Sequence, residues 1–162
     1  MKRTSWAIFT VLLLVVAAQS QKVTITVHCA KADQEHSIPA GDTPGHIYGL
    51  SHTTCTYTKP GTLAGLQTKS GADTIFSETK GNRVEWHGMY VETYSNGDQL
   101  FYEHHGNGTL KNNAFESGDD YYEVTGSTGK LKGYVGNGSC KIKGAADGTA
   151  VDECSGDFRT RK

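Results

Sequence analysis

The sequence has only three prolines in 162 residues, a formal net charge of −1 and, beyond residue 20, no second long apolar run. Each shortage excludes something. Scattered charges that nearly cancel give no basic face for nucleic acid and no cationic patch for an anionic membrane. Nowhere do apolar residues recur at helical spacing over ten or more residues, so the fold is not helical. Also missing are a Ser-His-Asp arrangement, a P-loop and a dinucleotide fingerprint, and no cofactor is expected.

The one long apolar run lies at the start. Lys2 and Arg3 precede it, Trp6 to Ala18 is apolar save for Thr10, and Ala18-Gln19-Ser20 supplies small residues where a signal peptidase reads. This is the pattern of a secretory signal peptide, cut after Ser20. The run falls short of the ~20 apolar residues of a spanning helix, so no stable membrane anchor is expected. Residues 1–20 are therefore read as a leader and 21–162 as one domain, secreted or periplasmic.

What is abundant is glycine, 20 residues, together with threonine, tyrosine and valine. That mixture suits short strands and tight turns. Lys22 to Cys29 alternates, with Val23, Ile25 and Val27 on one face. Ala30 to His46 reads as a long loop, Ile47 to Thr58 as a strand, Lys59 to Ala72 as a glycine-rich connection and Asp73 to Glu78 as a short strand. Arg83 to Tyr94 and Gln99 to His105 form the clearest hairpin, joined through Asn96-Gly97. Gly108 to Ala114, Asp119 to Thr125, Lys130 to Val135, Ser139 to Lys143 and Thr149 to Phe158 complete the set. Eight to ten sequential antiparallel strands predict an all-β fold, an up-and-down barrel or a sandwich.

Four cysteines, Cys29, Cys55, Cys140 and Cys154, in an exported chain predict two disulfides. A three-residue loop at Ala146-Asp147-Gly148, with Gly148 left-handed, sets Cys140 opposite Cys154. Facing strands hold Cα atoms at a separation that suits a disulfide. Cys140–Cys154 is predicted, leaving Cys29–Cys55 to close the first long loop. The cysteine spacing matches no zinc pattern. Asn107-Gly108-Thr109 and Asn137-Gly138-Ser139 are glycosylation acceptor triplets that also read as turn residues.

Val124 to Ser139 carries glycines at Gly126, Gly129, Gly133, Gly136 and Gly138, spaced as in a sheet that bends and closes on itself. This stretch, about a tenth of the chain, resembles the "TGG-x-G-x-F-x-G-x-x-G" signature of the allene oxide cyclase and dirigent barrel-like families. Leu131 stands where that signature has its phenylalanine, and Ser127 in place of a glycine. The resemblance implies a closed, calycin-like barrel of about eight strands, here stapled by disulfides. In those families the barrel works largely by shape, guiding ring closure of an epoxide or the coupling of radicals. A homo-oligomer, dimer or trimer, is open to such a barrel.

A barrel of this size holds one small ligand or fills itself with side chains. The Asn-Gly register sets Val91 opposite Tyr102, Met89 opposite His104 and Thr93 opposite Leu100. This face, with His87, is the smoother apolar one and is taken as the inner surface. The other collects Trp86, Tyr90, Glu92, Phe101 and Glu103. His87, Met89, Val91, Tyr102 and His104 are thus the candidate ligand-binding residues. As packing residues they would need no function, and the catalytic residues stay unassigned. The preferred reading is a non-catalytic binder of a small apolar or aromatic molecule. The alternative is a cofactor-independent cyclase or isomerase with His87, His104 and Tyr102 as polar handles; metal binding through His87 and His104 ranks third, with no third ligand evident.

Overall fold

The structure, a computed structural model, describes residues 20–161, so the predicted leader up to Gln19 lies outside the described residues. Ten strands follow in order: β1 (Gln21–Cys29), β2 (Gln34–Pro39), β3 (His46–Lys59), β4 (Thr62–Leu63), β5 (Leu66–Lys80), β6 (Arg83–Tyr94), β7 (Gln99–Lys111), β8 (Ala114–Ser127), β9 (Tyr134–Gly144) and β10 (Ala150–Thr160). Eight of them close into an antiparallel barrel, β3-β1-β10-β9-β8-β7-β6-β5, with β5 returning to pair with β3. Closure leaves no unpaired edge in the wall. β2 continues the line of β1 along the first half of β3, and the two-residue β4 folds back on the start of β5.

Both predicted disulfides are present, Cys29–Cys55 between β1 and β3 and Cys140–Cys154 between β9 and β10. The second follows from the expected hairpin. Ala145 and Thr149 close a three-residue loop, Gly148 sits at φ 86° and Cys140 faces Cys154. The Asp147 side chain accepts the Thr149 N–H at 3.0 Å and fixes the turn.

Four segments depart from the sequence reading. The strand expected over 108–114 is a hairpin turn: β7 runs on to Lys111, Asn112 and Asn113 turn the chain at φ 54° and 63°, and β8 begins at Ala114. β2 lies inside the loop expected over residues 30–46, and β5 begins well inside the connection expected over 59–72. Both are mostly polar, so hydrophobic alternation is too weak to mark them; pairing with β3 makes them strands. Lys130 does not begin a strand. Gly129–Leu131 is a 3-10 turn, held by the Lys130 N–H donating to Asp98 at 2.8 Å, and β9 starts at Tyr134. The left-handed Gly129 and Gly133, at φ 52° and 83°, make that detour possible.

The detour has a packing consequence. It turns Leu131 into one end of the barrel, where it meets Leu63, Tyr94, Leu100, Tyr102, Val124 and Phe158. Leu63, Leu100 and Leu131 are wholly buried, each contributing about 2 kcal/mol by the area taken from water. This apolar plug is the floor. The opposite end, ringed by the β1–β2, β7–β8 and β9–β10 connections, is the mouth.

Candidate functional site

The β6–β7 turn decides which side chains face inward. Tyr94 N–H donates to the Asp98 carbonyl and Gly97 N–H to the Tyr94 carbonyl, so three residues, Ser95, Asn96 and Gly97, make the loop. Gly97 takes the left-handed position at φ 89°. The predicted register assumed one residue fewer. The actual register sets Tyr90 opposite Tyr102, Gly88 opposite His104 and Val91 opposite Phe101. A one-residue slip exchanges the faces of one strand against the other.

The candidate residues are accordingly divided. Tyr102 and His104 of β7 point inward and are buried. His87, Met89 and Val91 lie on the outer face of β6, which corrects the predicted inner surface. There His87 packs against Phe76, ring centroids 5.3 Å apart, and pairs across the ladder with His105. His87 and His104 stand on opposite sides of the wall, so they cannot share a metal. Among the described residues no group of three or more His, Cys, Asp or Glu is placed to hold a metal ion. The inner face of β6 is instead Val84, Trp86, Tyr90, Glu92 and Tyr94.

Above the floor sits a buried carboxyl group surrounded by phenols. Glu92 accepts hydrogen bonds from the hydroxyls of Tyr57 (2.7 Å), Tyr94 (2.7 Å) and Tyr102 (2.6 Å), and Tyr57 touches the Tyr90 hydroxyl at 3.0 Å. Burial first, and then the Glu92 charge, push the Tyr57, Tyr94 and Tyr102 hydroxyls well above their ordinary range. They stay protonated donors.

Halfway to the mouth lies a second polar group. His104 uses both ring nitrogens, Nε2 with Asp73 of β5 at 2.9 Å and Nδ1 with Asp120 of β8 at 3.1 Å. Asp120 also accepts the Trp86 indole N–H at 2.6 Å. Burial alone would lower the imidazole pKa, but the two carboxyl groups outweigh it and raise it to about 10. His104 is therefore an imidazolium at neutral pH. Gly106 and Gly118 make room for the Trp86 ring: a Cβ on Gly118 would lie 2.7 Å from its outer edge. These glycines are sites of close approach rather than turns.

Asp152 of β10 completes the interior. Its Oδ1 is buried and has no hydrogen-bond partner. Burial, followed by the charges of Asp73 and Asp120, pushes its pKa up to about 7. Around these groups the barrel encloses a cavity of about 560 Å³, walled by aliphatic and aromatic side chains such as Val27, Ile75, Phe115 and Tyr122.

Sequence reasoning missed Trp86 and Glu92 through the register slip, having set both on the outer face. Asp73, Asp120 and Asp152 carried no motif. For Asp152 one signal existed: it is two residues from Cys154, and side chains two apart on a strand share a face.

An eight-stranded closed barrel with an acidic and aromatic interior is thus the class that fold and site define. No family model matches the sequence, and no curated protein matches it. Solved structures do share the fold. A pterocarpan synthase dirigent protein aligns with TM-score 0.52 and 11% identity over 97% of this chain and 100% of its own. A DUF3224-family protein of unknown function from Shewanella oneidensis MR-1 aligns with TM-score 0.52 and 15% identity over 89% of this chain and 99% of its own. A conserved protein of unknown function from Rhodopseudomonas palustris gives TM-score 0.50 and 13% identity over 87% and 99%. The dirigent-like barrel resemblance expected from the glycine-rich stretch holds at the level of fold.

Proposed function

We propose that this is an exported binding protein that receives a small aromatic molecule in its barrel. The observation that carries the reading is the cavity of about 560 Å³ between a sealed floor and an open mouth. That volume falls in the range of small-ligand sites, about 300–1,000 Å³, and the mix of apolar wall with a few convergent polar groups is the usual one. Two disulfides fit an oxidising compartment, and among the described residues no helix is long and apolar enough to cross a membrane. Tyr102 and His104 serve in the wall of this site, while His87, Met89 and Val91 do not.

A second reading, a cofactor-independent cyclase or isomerase, is favoured by Asp152. A carboxyl group with a pKa of about 7 can take or give a proton at neutral pH. The likeness to a pterocarpan synthase dirigent protein points the same way. Binding ranks first because an aromatic-lined cavity closed at its floor serves both readings and catalysis needs more.

The uncharged probe N-phenyl-1-naphthylamine tests the binding reading. It is expected to bind one molecule per chain, with enhanced fluorescence and energy transfer from a buried tryptophan. Filling the cavity by Ile75→Trp is expected to weaken binding by about tenfold or more, since a bulky side chain in a closed wall has nowhere to relax. Absence of saturable binding, or equal binding by the filled variant, would refute an interior site.

A further inference from the structure

We propose that the molecule taken into the barrel carries a cationic nitrogen, an ammonium group on an aromatic or apolar body, and that Asp152 is its counter-ion. This rests on the interior-binding reading and adds the ligand's chemical class.

The argument begins with an inventory of charge. Six carboxyl groups line the cavity beside a single imidazole. Asp73, Asp120 and Asp152 lie in its middle, Glu92 in its phenol cage, and Glu35 and Asp147 at the mouth. Among the described residues the one lysine or arginine along its wall is Lys31, also at the mouth. Both nitrogens of His104 are engaged by Asp73 and Asp120. Asp152 is left without a cation. Its Oδ1 is buried and meets no donor. Its Oδ2 faces Cys29 Sγ at 3.8 Å, and that sulfur is in a disulfide with no proton to give.

A buried carboxylate without a donor is costly, and a ligand that brings one turns the cost into affinity. An ammonium does so best, because a charge-assisted hydrogen bond is roughly twice as strong as a neutral one. A hydroxyl would satisfy a lone pair and leave the charge uncompensated. An anion would meet three carboxyl groups. A metal ion is not the natural occupant, since the carboxyl and imidazole groups do not converge as a ligand set. Trp86, Tyr90, Tyr102, Tyr122 and Phe115 line the same space, and their ring faces suit both the apolar body and the cation.

The test compares three probes of one shape by calorimetry at neutral pH: 2-phenylethylamine, 2-phenylethanol and phenylacetate. The amine is expected to bind about tenfold more tightly than the alcohol, with no binding of the acid. Asp152→Asn is expected to bring the amine down to the affinity of the alcohol while leaving the alcohol unchanged. Binding of N-phenyl-1-naphthylamine by the variant reports an intact barrel, and Asp152→Ser takes its place if that is lost. If amine and alcohol bind equally, or the naphthyl probe enters and the amine does not, the cationic assignment is overturned and the interior-binding reading stands. If no probe enters, both fall.

Discussion

Glu92→Ala is expected to destabilise the protein by about 4 kcal/mol, the upper range for loss of a buried polar hub. Glu92 is 3% exposed, and both its oxygens are engaged by the hydroxyls of Tyr57, Tyr94 and Tyr102. Alanine leaves the Tyr94 and Tyr102 hydroxyls without their acceptor beside a void, while Tyr57 keeps the Tyr90 hydroxyl at 3.0 Å. A buried hydroxyl without a partner costs roughly 1–3 kcal/mol, and the two do not add fully because they share one site. For a domain of this size the loss corresponds to a fall in Tm of about 10–15 °C. Glu92→Gln keeps one acceptor oxygen and should lose about half as much. Glu103→Ala, on the exposed outer face of β7, should stay within about 0.5 kcal/mol. Thermal unfolding of the three variants checks the ordering; a Glu92→Ala loss below that of Glu92→Gln would break the account of the phenol cage.

The second large effect changes sign with pH. Asp152 is raised from 3.8 to about 7, chiefly by burial. Between those values the folded protein holds a proton that the unfolded chain has released, so the contribution of Asp152 to stability falls as pH rises from about 4 to 7. Above pH 7 the penalty is complete, about 4 kcal/mol. Asp152→Asn removes it and adds a buried amide that costs roughly 1–2 kcal/mol without partners. The variant should therefore be more stable than the wild type by about 2 kcal/mol at pH 8, and less stable by about 1–2 kcal/mol at pH 4. The groups facing Asp152 are Asp73, Asp120 and His104, with Lys31, Glu35 and Asp147 at the mouth. His104 acts in the same direction on the parent. Its pKa is raised from 6.5 to about 10, so its stabilising contribution is complete below about pH 6.5 and lost as pH rises through 10. Denaturant unfolding at pH 4 and pH 8 reads the crossover directly. A variant equally destabilised at both values would show that Asp152 is not buried in unpaired form.

The same side chains show how far the sequence could be read. The alternation of Val23, Ile25 and Val27 gave β1, and the Ala146-Asp147-Gly148 turn gave the Cys140–Cys154 pairing, because local rules govern both. The inner face of β6 escaped because Asn96-Gly97 serves a two- or a three-residue loop equally well. The choice rests on Asp98, which accepts hydrogen bonds from the Asn96 side chain and from the Lys130 N–H far along the chain. A tertiary contact set the register. The interior cluster was less legible still: Asp73, His104, Asp120 and Asp152 come from β5, β7, β8 and β10, and only closure of the barrel brings them together. Burial of polar residues on a closed wall leaves no periodic trace that separates them from polar residues facing water.

Native mass spectrometry of the protein purified from its own source, without refolding, tests the central claim most directly. The account predicts one small molecule of a few hundred daltons per chain, retained in the folded protein and released on unfolding; the ~560 Å³ cavity sets that size. The ligand should carry a basic nitrogen. A bare protein mass under the gentlest conditions, in material that also fails to take up the neutral naphthyl probe, would contradict a barrel built to hold a ligand.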